Sequence, residues 1–585
     1  MPQDAFERQA ATTEQTPLLS SESSSAKGSI ETNSATDSGR PANGNSQDGG
    51  KVDRIESNVA ANQSLTLGRG ILSTIGLGGL ILLQATNISI LTTTQSAIAS
   101  DLDAFELTSW FTSAYLIAMS ALGPLNGKFA AVFTPRITIF ASSVMLAIGV
   151  VISGLASGFR DFIVGRIFAG IGAAGIFTVS IIIVLELTGS KRRGLAIGML
   201  NTGFTIGVAA GATLAGALLP YTGWRWLFLG QAPIALIGGT CILFSIPRSF
   251  TSGGKANTTS LLHSLSQLDY FGALTLTTSI TLCLYSLGSS KHIPLLPLLL
   301  SPVALTTFIL NELYLARDPI IPITLLKSRG LLFTCLATVG YMMARWTVLF
   351  YTPTYAIAVR QWSPATAGAI LVPTNGGFAL GSLLVGWLHI RRQGSFYIPT
   401  LVVYAIFPPT LILLAVLANH SSSMALFILD VLLCGAATGA ALNYNLAHLL
   451  HLTPKSTHYV ATSLLATFRG FSGSFGSAIG GGLFTRTLHD SLSRQFAEQG
   501  IRNDDLIRRL LGSPALVGQL HGVERQIAIT AYEAALRKLF LCGAGLAALM
   551  ILVQASTGWR KGVEAETGTA TESDRLAEAE NEVVE

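Results

Sequence analysis

Fourteen apolar stretches, each long enough to cross a lipid bilayer, follow one another between Ile71 and Val553. A helix needs about 20 mostly apolar residues to span the hydrocarbon core. Within lipid every backbone N–H and C=O must be bonded inside the segment, so each stretch is predicted to be a helix. Hydrophobic residues make up 50% of the chain, charged residues 12%, and the mean hydropathy is +0.53. The chain is therefore predicted to be an all-α polytopic membrane protein.

The apolar stretches leave no room for a soluble domain, because most loops between them are short. The spans are predicted at residues 71–93, 107–126, 137–157, 162–185, 195–219, 227–247, 271–289, 293–314, 331–352, 366–388, 399–417, 424–450, 459–484 and 535–555. The polar tails, residues 1–70 and 556–585, are predicted to be disordered. A polar segment at 485–534 is expected to hold one or two short amphipathic helices.

Positive charge in the short loops predicts the orientation. An even number of spans places both tails on the same side of the membrane. If that side is the cytosol, about three times as many Lys and Arg residues lie in cytosolic short loops as in the opposite ones, as is usual for membrane proteins. Both tails are therefore predicted to be cytosolic, and the 485–534 segment to lie in a lumen or outside the cell.

Several classes of function have no signature in the sequence. The net charge of +5 is small for 585 residues, so a nucleic-acid partner is not expected. The five Cys residues lie in or beside apolar stretches without CxxC spacing, so they are predicted to be packing residues and no metal site is expected. No Walker loop or nucleophile constellation occurs. We therefore expect no enzyme activity, no cofactor and no ATP-driven transport.

Motifs of glycine, arginine and tryptophan follow one another in a characteristic order. The second span ends in Gly127 and Lys128, and Arg136 closes the following loop. The fourth span carries Arg166 and then a glycine-rich run. Further motifs are Gly207, Gly211 and Gly216 in the fifth span, Trp224-Arg225-Trp226 after it, and Phe468-Arg469-Gly470 in the thirteenth. In this order the motifs resemble the major facilitator superfamily, most closely its fourteen-span fungal drug:proton antiporters and vacuolar basic amino-acid transporters.

The resemblance, which covers residues 70–555, implies a fold and a mechanism. It implies a six-helix bundle at 71–247, a two-helix insert with its loops at 248–330, and a second six-helix bundle at 331–555. In such transporters the substrate lies between the bundles near the midplane, and rocking of the bundles alternates access to it. Gly127, Lys128 and Arg136 belong to a loop that locks one conformation in the family. Gly207, Gly211 and Gly216 allow close helix approach.

The first span departs from the family pattern at its acidic position. Asn87 stands where the family has Asp, and an Asn cannot release a proton, although it can hydrogen-bond a substrate. Gln84, Asn87 and Ser89 lie on a polar face of this span. Two interpretations remain open for that face, which are contact with the substrate and hydrogen bonding between helices. Ala131 and Ala212 likewise replace a family acid and a family Pro.

Ionisable residues inside the spans are candidates for coupling, because such residues are rare in membranes and mark transport pathways. Arg166 is a candidate for coupling or gating, with snorkelling to the interface as the alternative. Asp430, in the twelfth span, either pairs with Arg345 or Arg469, exchanges a proton during transport, or is a carboxylate that faces the lumen near the end of its helix. Asn443 adds a polar position to the same span.

The N-terminal tail contains a candidate sorting signal. Glu14, Leu18 and Leu19 fit an acidic dileucine sorting signal that an adaptor could bind, and the context resembles the tails of fungal vacuolar amino-acid transporters. This resemblance favours the vacuolar membrane. Asn419 begins an N-x-S sequon in a non-cytosolic loop and is a possible glycosylation site.

Three functions are compatible with these residues. The leading hypothesis is a vacuolar transporter that moves amino acids, basic ones among them, by exchange with protons. The alternatives are a plasma-membrane exporter of drugs, toxins or secondary metabolites, and a sensor that uses the same scaffold without transport. A cationic substrate would be expected to meet an acid, so Asn87 weakens the assignment to basic amino acids.

Overall fold

Apolar segments form helices throughout the described chain, as backbone groups in lipid require. The structure is a computed structural model that describes residues 67–187, 193–247, 269–289, 292–316, 321, 326–388, 396–453, 458–501 and 503–558. No β-strand occurs among these residues. Eleven of their helices are long and apolar enough to cross a membrane. The predicted all-α membrane fold is confirmed.

The helices follow in chain order. The first are α1 (Leu67–Ser89), α2 (Leu91–Asp101), α3 (Ser109–Phe133), α4 (Pro135–Gly154), α5 (Phe159–Leu187), α6 (Arg193–Leu229) and α7 (Gln231–Ser245). Next come α8 (Tyr270–Leu287) and α9 (Leu295–Leu310), which continues as a π-helical turn, Asn311–Leu315. The last are α10 (Arg329–Ala358), α11 (Pro364–Ala369), α12 (Leu371–Leu388), α13 (Tyr397–Leu417), α14 (Met424–Leu452), α15 (His458–Glu498), α16 (Asp504–Gly512) and α17 (Gly522–Ala555).

Each of the fourteen predicted spans coincides with a helix, but α3, α7 and α15 lack the length or hydropathy of a clear span. α7 has only 15 residues, whereas α3 and α15 are long but less hydropathic than the eleven clear spans. Their polar residues face each other: Ser113 Oγ lies 3.0 Å from Ser477 Oγ, and Ser120 Oγ donates to Gly470 O at 2.9 Å. The eleven clear spans are compatible with the predicted fourteen.

Buried apolar side chains divide most helices into two groups. The N-terminal group, α1–α7, has a core that includes Leu80, Leu146 and Val179. The C-terminal group, α10–α17, has a core that includes Leu411 and Leu536. A smaller cluster joins α8 and α9 to α3 and α15, so the insert flanks the contact between the two groups.

The two ends of the helices differ in their connections. At one end, Arg329 Nε donates to Ser556 O at 2.7 Å and Tyr397 OH donates to Ala555 O at 2.8 Å, so α10 and α13 begin where α17 ends. This end is called the terminal face. The opposite end carries the 485–534 segment and is called the loop face. In the predicted orientation, the terminal face is cytosolic.

Some helix boundaries differ from the predicted ones. The first span, predicted at 71–93, is divided at Ile90 into α1 and α2 and continues to Asp101. α6 includes residues between the fifth and sixth spans, and its helical path breaks at Gly223, where φ is +72°. Glycine populates this left-handed region freely. The break lets the chain turn at the loop face before α7.

The 485–534 segment is more helical than predicted. α15 continues to Glu498 and α17 begins at Gly522, so both extend into the segment. The signal for the α15 extension was apolar spacing, because Leu488, Leu492 and Phe496 are buried at intervals of one helical turn. Between the extensions, α16 is the predicted short amphipathic helix and buries Ile507 on its apolar face.

Candidate transport site

Arg166 lies at the centre of a buried polar cluster in the N-terminal group. Its side chain, on α5, is fully buried. Nε donates to Phe111 O at 2.8 Å, and Nη1 and Nη2 donate to the side-chain and backbone oxygens of Asn87 on α1. The guanidinium carbon lies 4.5 Å from the ring centre of Tyr115. Arg166 therefore binds neutral groups inside the bundle, and the predicted alternative of snorkelling to the interface is wrong.

Asn87 connects Arg166 to a third helix. Its Nδ2 donates to Gln231 Oε1 on α7 at 2.8 Å, and Gln231 Nε2 donates to Leu227 O at 2.8 Å. The ion pairs seen among the described residues do not include Arg166. At the position of the family acid, this chain has a neutral link between α1, α5 and α7.

The other polar residues predicted on the first span also face helix contacts. Gln84 is buried, and its Nε2 lies 3.2 Å from Met119 Sδ on α3. Ser89 Oγ donates to Thr86 O, one turn earlier, at 3.3 Å. Gln84 and Asn87 therefore bond between helices and Ser89 within its own helix in this conformation, and none lines an open cavity.

A second buried cation, Arg345, lies near the middle of α10 in the C-terminal group. Nη1 donates to Thr438 Oγ1 on α14 at 2.8 Å, and Nη2 donates to Asn375 Oδ1 on α12 at 3.1 Å. The guanidinium carbon lies 4.1 Å from the ring centre of Phe378. These partners are neutral, so they position the guanidinium without neutralising its charge.

Arg469 on α15 reaches across to the N-terminal group. Its Nη1 donates to Asn201 Oδ1 on α6 at 3.0 Å. Trp346, the residue after Arg345, would lie 3.3 Å from a Cβ at Gly473, which is one helical turn beyond Arg469, so the two arginines lie on adjoining parts of α10 and α15. Arg469 lies about 16 Å along α15 from the first residue of that helix, which is about half the thickness of the hydrocarbon core. Arg469 therefore lies at mid-membrane depth where the helix groups meet, and Arg345 lies on the adjoining helix.

Asp430 lies apart from these cations. Its side chain, on α14, is 1% exposed, and neither carboxylate oxygen has a hydrogen-bond partner among the described residues. Cys434, one turn further along α14, donates from Sγ to Thr410 Oγ1 on α13 at 3.1 Å. Since Arg345 and Arg469 bond to other groups, the predicted ion pair with Asp430 is not formed in this conformation. Proton exchange at Asp430 stays a prediction.

Asn443 serves the packing of α14 against α12. Its Nδ2 donates to Ser382 O at 3.0 Å. The two neighbouring polar residues of α14 lie deeper: Asn445 Nδ2 donates to Tyr404 OH at 2.5 Å, and His448 Nε2 lies 3.1 Å from Thr557 Oγ1. These residues bond α14 to helices of its own group, away from the contact with the N-terminal group.

The glycines of the fifth-span motif mark close helix contacts. A Cβ at Gly207 or Gly211 would overlap α1, at 2.7 Å from Ala85 Cβ and 2.4 Å from Ser89 Oγ respectively. A Cβ at Gly216 would lie 2.4 Å from Pro364 O on α11. Gly216 therefore lets the two helix groups approach each other at the loop face.

The motif loop after the second span is a tight junction between helices. Gly127 and Lys128 lie in the last turns of α3, and Arg136 is the second residue of α4. Thr134 alone separates the two helices, with φ +79° and ψ +142°. Thr134 occupies the second glycine position of the family motif, so the backbone shape persists without the glycine.

The 485–534 segment closes the loop face over the contact between the groups. Arg508 Nη2 lies 2.9 Å from Asp103 Oδ1, and Ala515 N donates to Ser96 Oγ at 3.5 Å. The hydrogen bond with Asp103 raises the pKa of Arg508 above its ordinary value. Beneath this segment, a narrow cavity of about 40 Å³ is lined by residues such as Thr92 and Tyr351. That volume holds one or two waters, so the loop face is closed.

The predicted sorting signal and the predicted glycosylation site do not belong to the transport site. The sorting signal of Glu14, Leu18 and Leu19 lies outside the described residues. Asn419 lies in the turn between α13 and α14, where its Nδ2 donates to Val416 O at 2.7 Å and its Oδ1 accepts from Ser421 N at 3.0 Å. The sequon is therefore at the loop face, with its amide bonded to the turn, and its glycosylation stays a prediction.

Sequence reasoning did not assign a role to four neutral residues that bond to the cations or to Asn87. These are Gln231, Asn201, Asn375 and Thr438. The available signal was a single amide in an apolar span, as at Asn375 in the tenth. Such a residue needs a partner within the membrane. Because the partners are distant in sequence, the pairing itself appears only in the fold.

Comparison with known proteins agrees with this architecture. Multidrug resistance protein fnx1 of Schizosaccharomyces pombe is 26% identical over 480 residues, which cover 80% of this chain and 88% of that protein. Vacuolar basic amino acid transporter 2 of Saccharomyces cerevisiae is 25% identical over 472 residues, which cover 76% of this chain and 97% of that protein. Transporters with different named substrates are thus comparably similar to this chain.

A solved structure and a family profile agree on the fold. The fold is similar to the crystal structure of a bacterial homologue of the human lysosomal transporter Spinster, with a TM-score of 0.56, 14% identity, and coverage of 85% of this chain and 100% of that chain. The family described as Major Facilitator Superfamily matches residues 77–483. The chain therefore belongs to the Major Facilitator Superfamily, whose members are membrane transporters and not enzymes.

Proposed function

We propose that the protein is a secondary transporter of the vacuolar membrane that moves amino acids by alternating access in exchange for protons. The observation that carries this proposal is the position of Arg469, which joins the helix groups, and of Arg345 on the adjoining helix; among the described residues both bond only to neutral side chains. Ionisable residues at this depth mark substrate or ion pathways in membrane proteins.

Alternating access requires two bodies that separate at either end in turn. We propose that residues 71–247 and 331–555 are these bodies and that α8 and α9 accompany them. At the loop face they are held together by Gly216 against Pro364 and by Arg508 beside Asp103. Opening the loop face would break these contacts.

Asp430 is the proposed proton carrier. A carboxylate that is buried without hydrogen bonds is unstable in its charged form, so its charge depends on what moves next to it. Asn87 removes the acid that the family uses in the first span, which leaves Asp430 as the candidate in the C-terminal group.

The membrane is proposed from the tail and from a relative. Glu14, Leu18 and Leu19 would bind a sorting adaptor, and a similar yeast protein bears the name of a vacuolar transporter. Replacement of Leu18 and Leu19 with Ala should move a tagged protein away from the vacuolar rim. Unchanged rim fluorescence would contradict the role of the motif.

Transport by the full-length protein in liposomes tests the function. Labelled amino acids are expected to accumulate in vesicles with an acidic interior, and a protonophore should abolish the accumulation. Equal uptake with and without the gradient would contradict proton exchange. Binding of amino acids without any transport would favour a sensor.

A plasma-membrane exporter is the second candidate, and it is favoured by the similarity to a protein named for multidrug resistance. It predicts gradient-driven movement of drugs or secondary metabolites in liposomes in which amino acids do not move. It also predicts a plasma-membrane location of the tagged protein. The same liposomes and the same tag therefore distinguish the two candidates.

A further inference from the structure

We propose that Arg345 and Arg469 form a carboxylate-binding site between the helix groups, and that the substrate therefore carries a carboxylate and no net positive charge. This inference rests on the proposed transport function and names its substrate class. It differs from the expectation of basic amino acids that came from the family resemblance.

The first argument is the lack of acidic partners around Arg345. Its two terminal nitrogens donate to a threonine hydroxyl and an asparagine amide oxygen, and Phe378 covers one face of the guanidinium. These contacts fix the orientation of the side chain. Because a guanidinium remains charged in proteins, its positive charge is oriented but not neutralised.

The second argument is the half-buried position of Arg469. Among the described residues, its one hydrogen-bond partner is Asn201 Oδ1, and its other N–H groups have none. A guanidinium presents its donors as a planar fork, which matches the two oxygens of a carboxylate. Arg469 therefore has donors free to bind an anion between the groups.

The third argument is that the positive charges of Arg345 and Arg469 are not compensated by a neighbouring acid among the described residues. Arg345 and Arg469 carry like charges on adjoining parts of α10 and α15, and the buried carboxylate of Asp430 contacts neither of them through a hydrogen bond. Like charges held at mid-membrane depth repel in a medium of low polarity. An anionic group on the substrate relieves this repulsion, whereas a net-cationic substrate increases it.

The bond from Arg469 to Asn201 links binding to movement. It connects α15 of the C-terminal group to α6 of the N-terminal group. A carboxylate is a stronger acceptor for a guanidinium than an amide oxygen is. Substrate binding is therefore expected to displace Asn201 and to release one contact between the groups.

Binding to the purified full-length protein tests the site without requiring transport. The probes are leucine, glutamate and arginine, each beside the amide that replaces its α-carboxylate, and 4-methylpentanoate, which has the carboxylate without the amine. Affinity is measured by ligand-induced thermal shift. We expect leucine or glutamate to bind at least tenfold more tightly than its amide and than arginine, and 4-methylpentanoate to compete.

Variants assign the effect to the two arginines. Arg345→Gln and Arg469→Gln should each remove the preference for the carboxylate over the amide. Arg469→Lys, which keeps the charge without the fork, should retain part of it. Arg494→Gln is the matched control, since Arg494 is 76% exposed in its side chain and lies outside the site.

A further variant covers the case in which removal of an arginine prevents folding. Asn201→Asp keeps both arginines and places a carboxylate beside Arg469, so it should fold and should bind leucine and glutamate at least tenfold more weakly. The inference is overturned if amides or arginine bind as tightly as the acids, if nothing binds, or if Arg469→Gln and Asn201→Asp leave affinity unchanged. Carboxylate-dependent binding without transport in liposomes would instead overturn the proposed function alone.

Discussion

Thr134 is a residue whose backbone conformation is at odds with its side chain. Its φ of +79° with ψ of +142° belongs to a region used almost only by glycine, and a β-branched residue there is strained. The hydroxyl offers no compensation, because its Oγ1 has no hydrogen-bond partner among the described residues. The strain is the result of joining α3 to α4 through one residue.

Thr134→Gly should therefore stabilise the protein. Strain of this kind is worth about 1–3 kcal/mol, of which the greater freedom of glycine in the unfolded chain offsets up to about 1 kcal/mol. The midpoint of thermal unfolding in detergent should rise. Thr138→Gly, in the regular backbone of α4, is the control and should lower the midpoint. A lower midpoint for Thr134→Gly would show that the junction is not strained.

Asp430→Asn tests proton coupling at a single residue. The amide has nearly the shape of the carboxyl but cannot exchange a proton, so uptake driven by a pH gradient should fall to the level of facilitated equilibration. Counterflow without a gradient should persist. Asp161→Asn, at the exposed start of α5, is the control and should behave like the wild type. Retained gradient dependence in Asp430→Asn would exclude this residue as the carrier.

For single residues, the sequence predicts which ionisable side chains lie within the membrane spans but not which side chains they bond to. Arg166, Arg345, Asp430 and Arg469 are evident as ionisable residues within apolar spans. The hydrogen bonds that hold Arg166 join residues 55 and 79 positions apart. Such contacts depend on which helices become neighbours, and no local pattern encodes that choice.

Among the helices, α6 and α11 approach each other closely across the two groups. A Cβ at Gly216 would overlap Pro364 O at 2.4 Å, and a Cβ at Gly368 would overlap Ala212 O at the same distance. The two glycines thus allow each backbone to contact the other directly. The contact lies at the loop face and closes it.

Gly216→Ala should therefore favour opening of the loop face. Overlap of one methyl group costs about 1–3 kcal/mol in a tight contact, enough to change the accessibility of the crevice by about fivefold to a hundredfold. The measurement is labelling by a membrane-impermeant thiol reagent at Gln95→Cys, in a background without native cysteines. Gly203→Ala, on the same helix, is the control because its Cβ meets nothing within 4 Å. Equal labelling in both variants would contradict a gating role of this contact.

In the whole molecule, the 485–534 segment links the two groups across the loop face. The pair of Arg508 and Asp103 is exposed, so it contributes weakly and is screened by salt. Since the pKa of Arg508 is raised, its positive charge is present below that pKa and is lost only as the pH rises through it. Arg508 therefore keeps its positive charge, and its part in the ion pair, from acidic to mildly basic conditions.

Arg508→Gln should shift the molecule modestly toward a conformation that is open at the loop face. Spin labels at Arg160 and Gln499 report the distance between the groups at this end, and the variant should populate longer distances more than Arg494→Gln does. In high salt the wild type should approach the variant. Identical distance distributions at all salt concentrations would mean that the pair does not hold the groups together.

The helices of the fold could be predicted from the sequence, whereas the contacts between them could not. Fourteen apolar stretches predicted the helices, because lipid permits few other structures. The contact between α3 and α15 was not predictable, since its serines and glycines weaken the hydropathy of both helices instead of marking a surface. The same limit applies to the 485–534 segment, whose polarity predicted a loop although it is mostly helical.

The polar contact of α3 with α15 also affects how the protein is made. Ser120 and Gly470, which bond in the finished protein, are 350 positions apart. At ordinary rates of synthesis, α3 enters the membrane about 20–70 s before its partner exists. During that interval its serines are exposed to lipid, or they are shielded by α5 or by a component of the insertion machinery. The contact is thus completed late in biogenesis, and the newly inserted N-terminal half depends on protection until then.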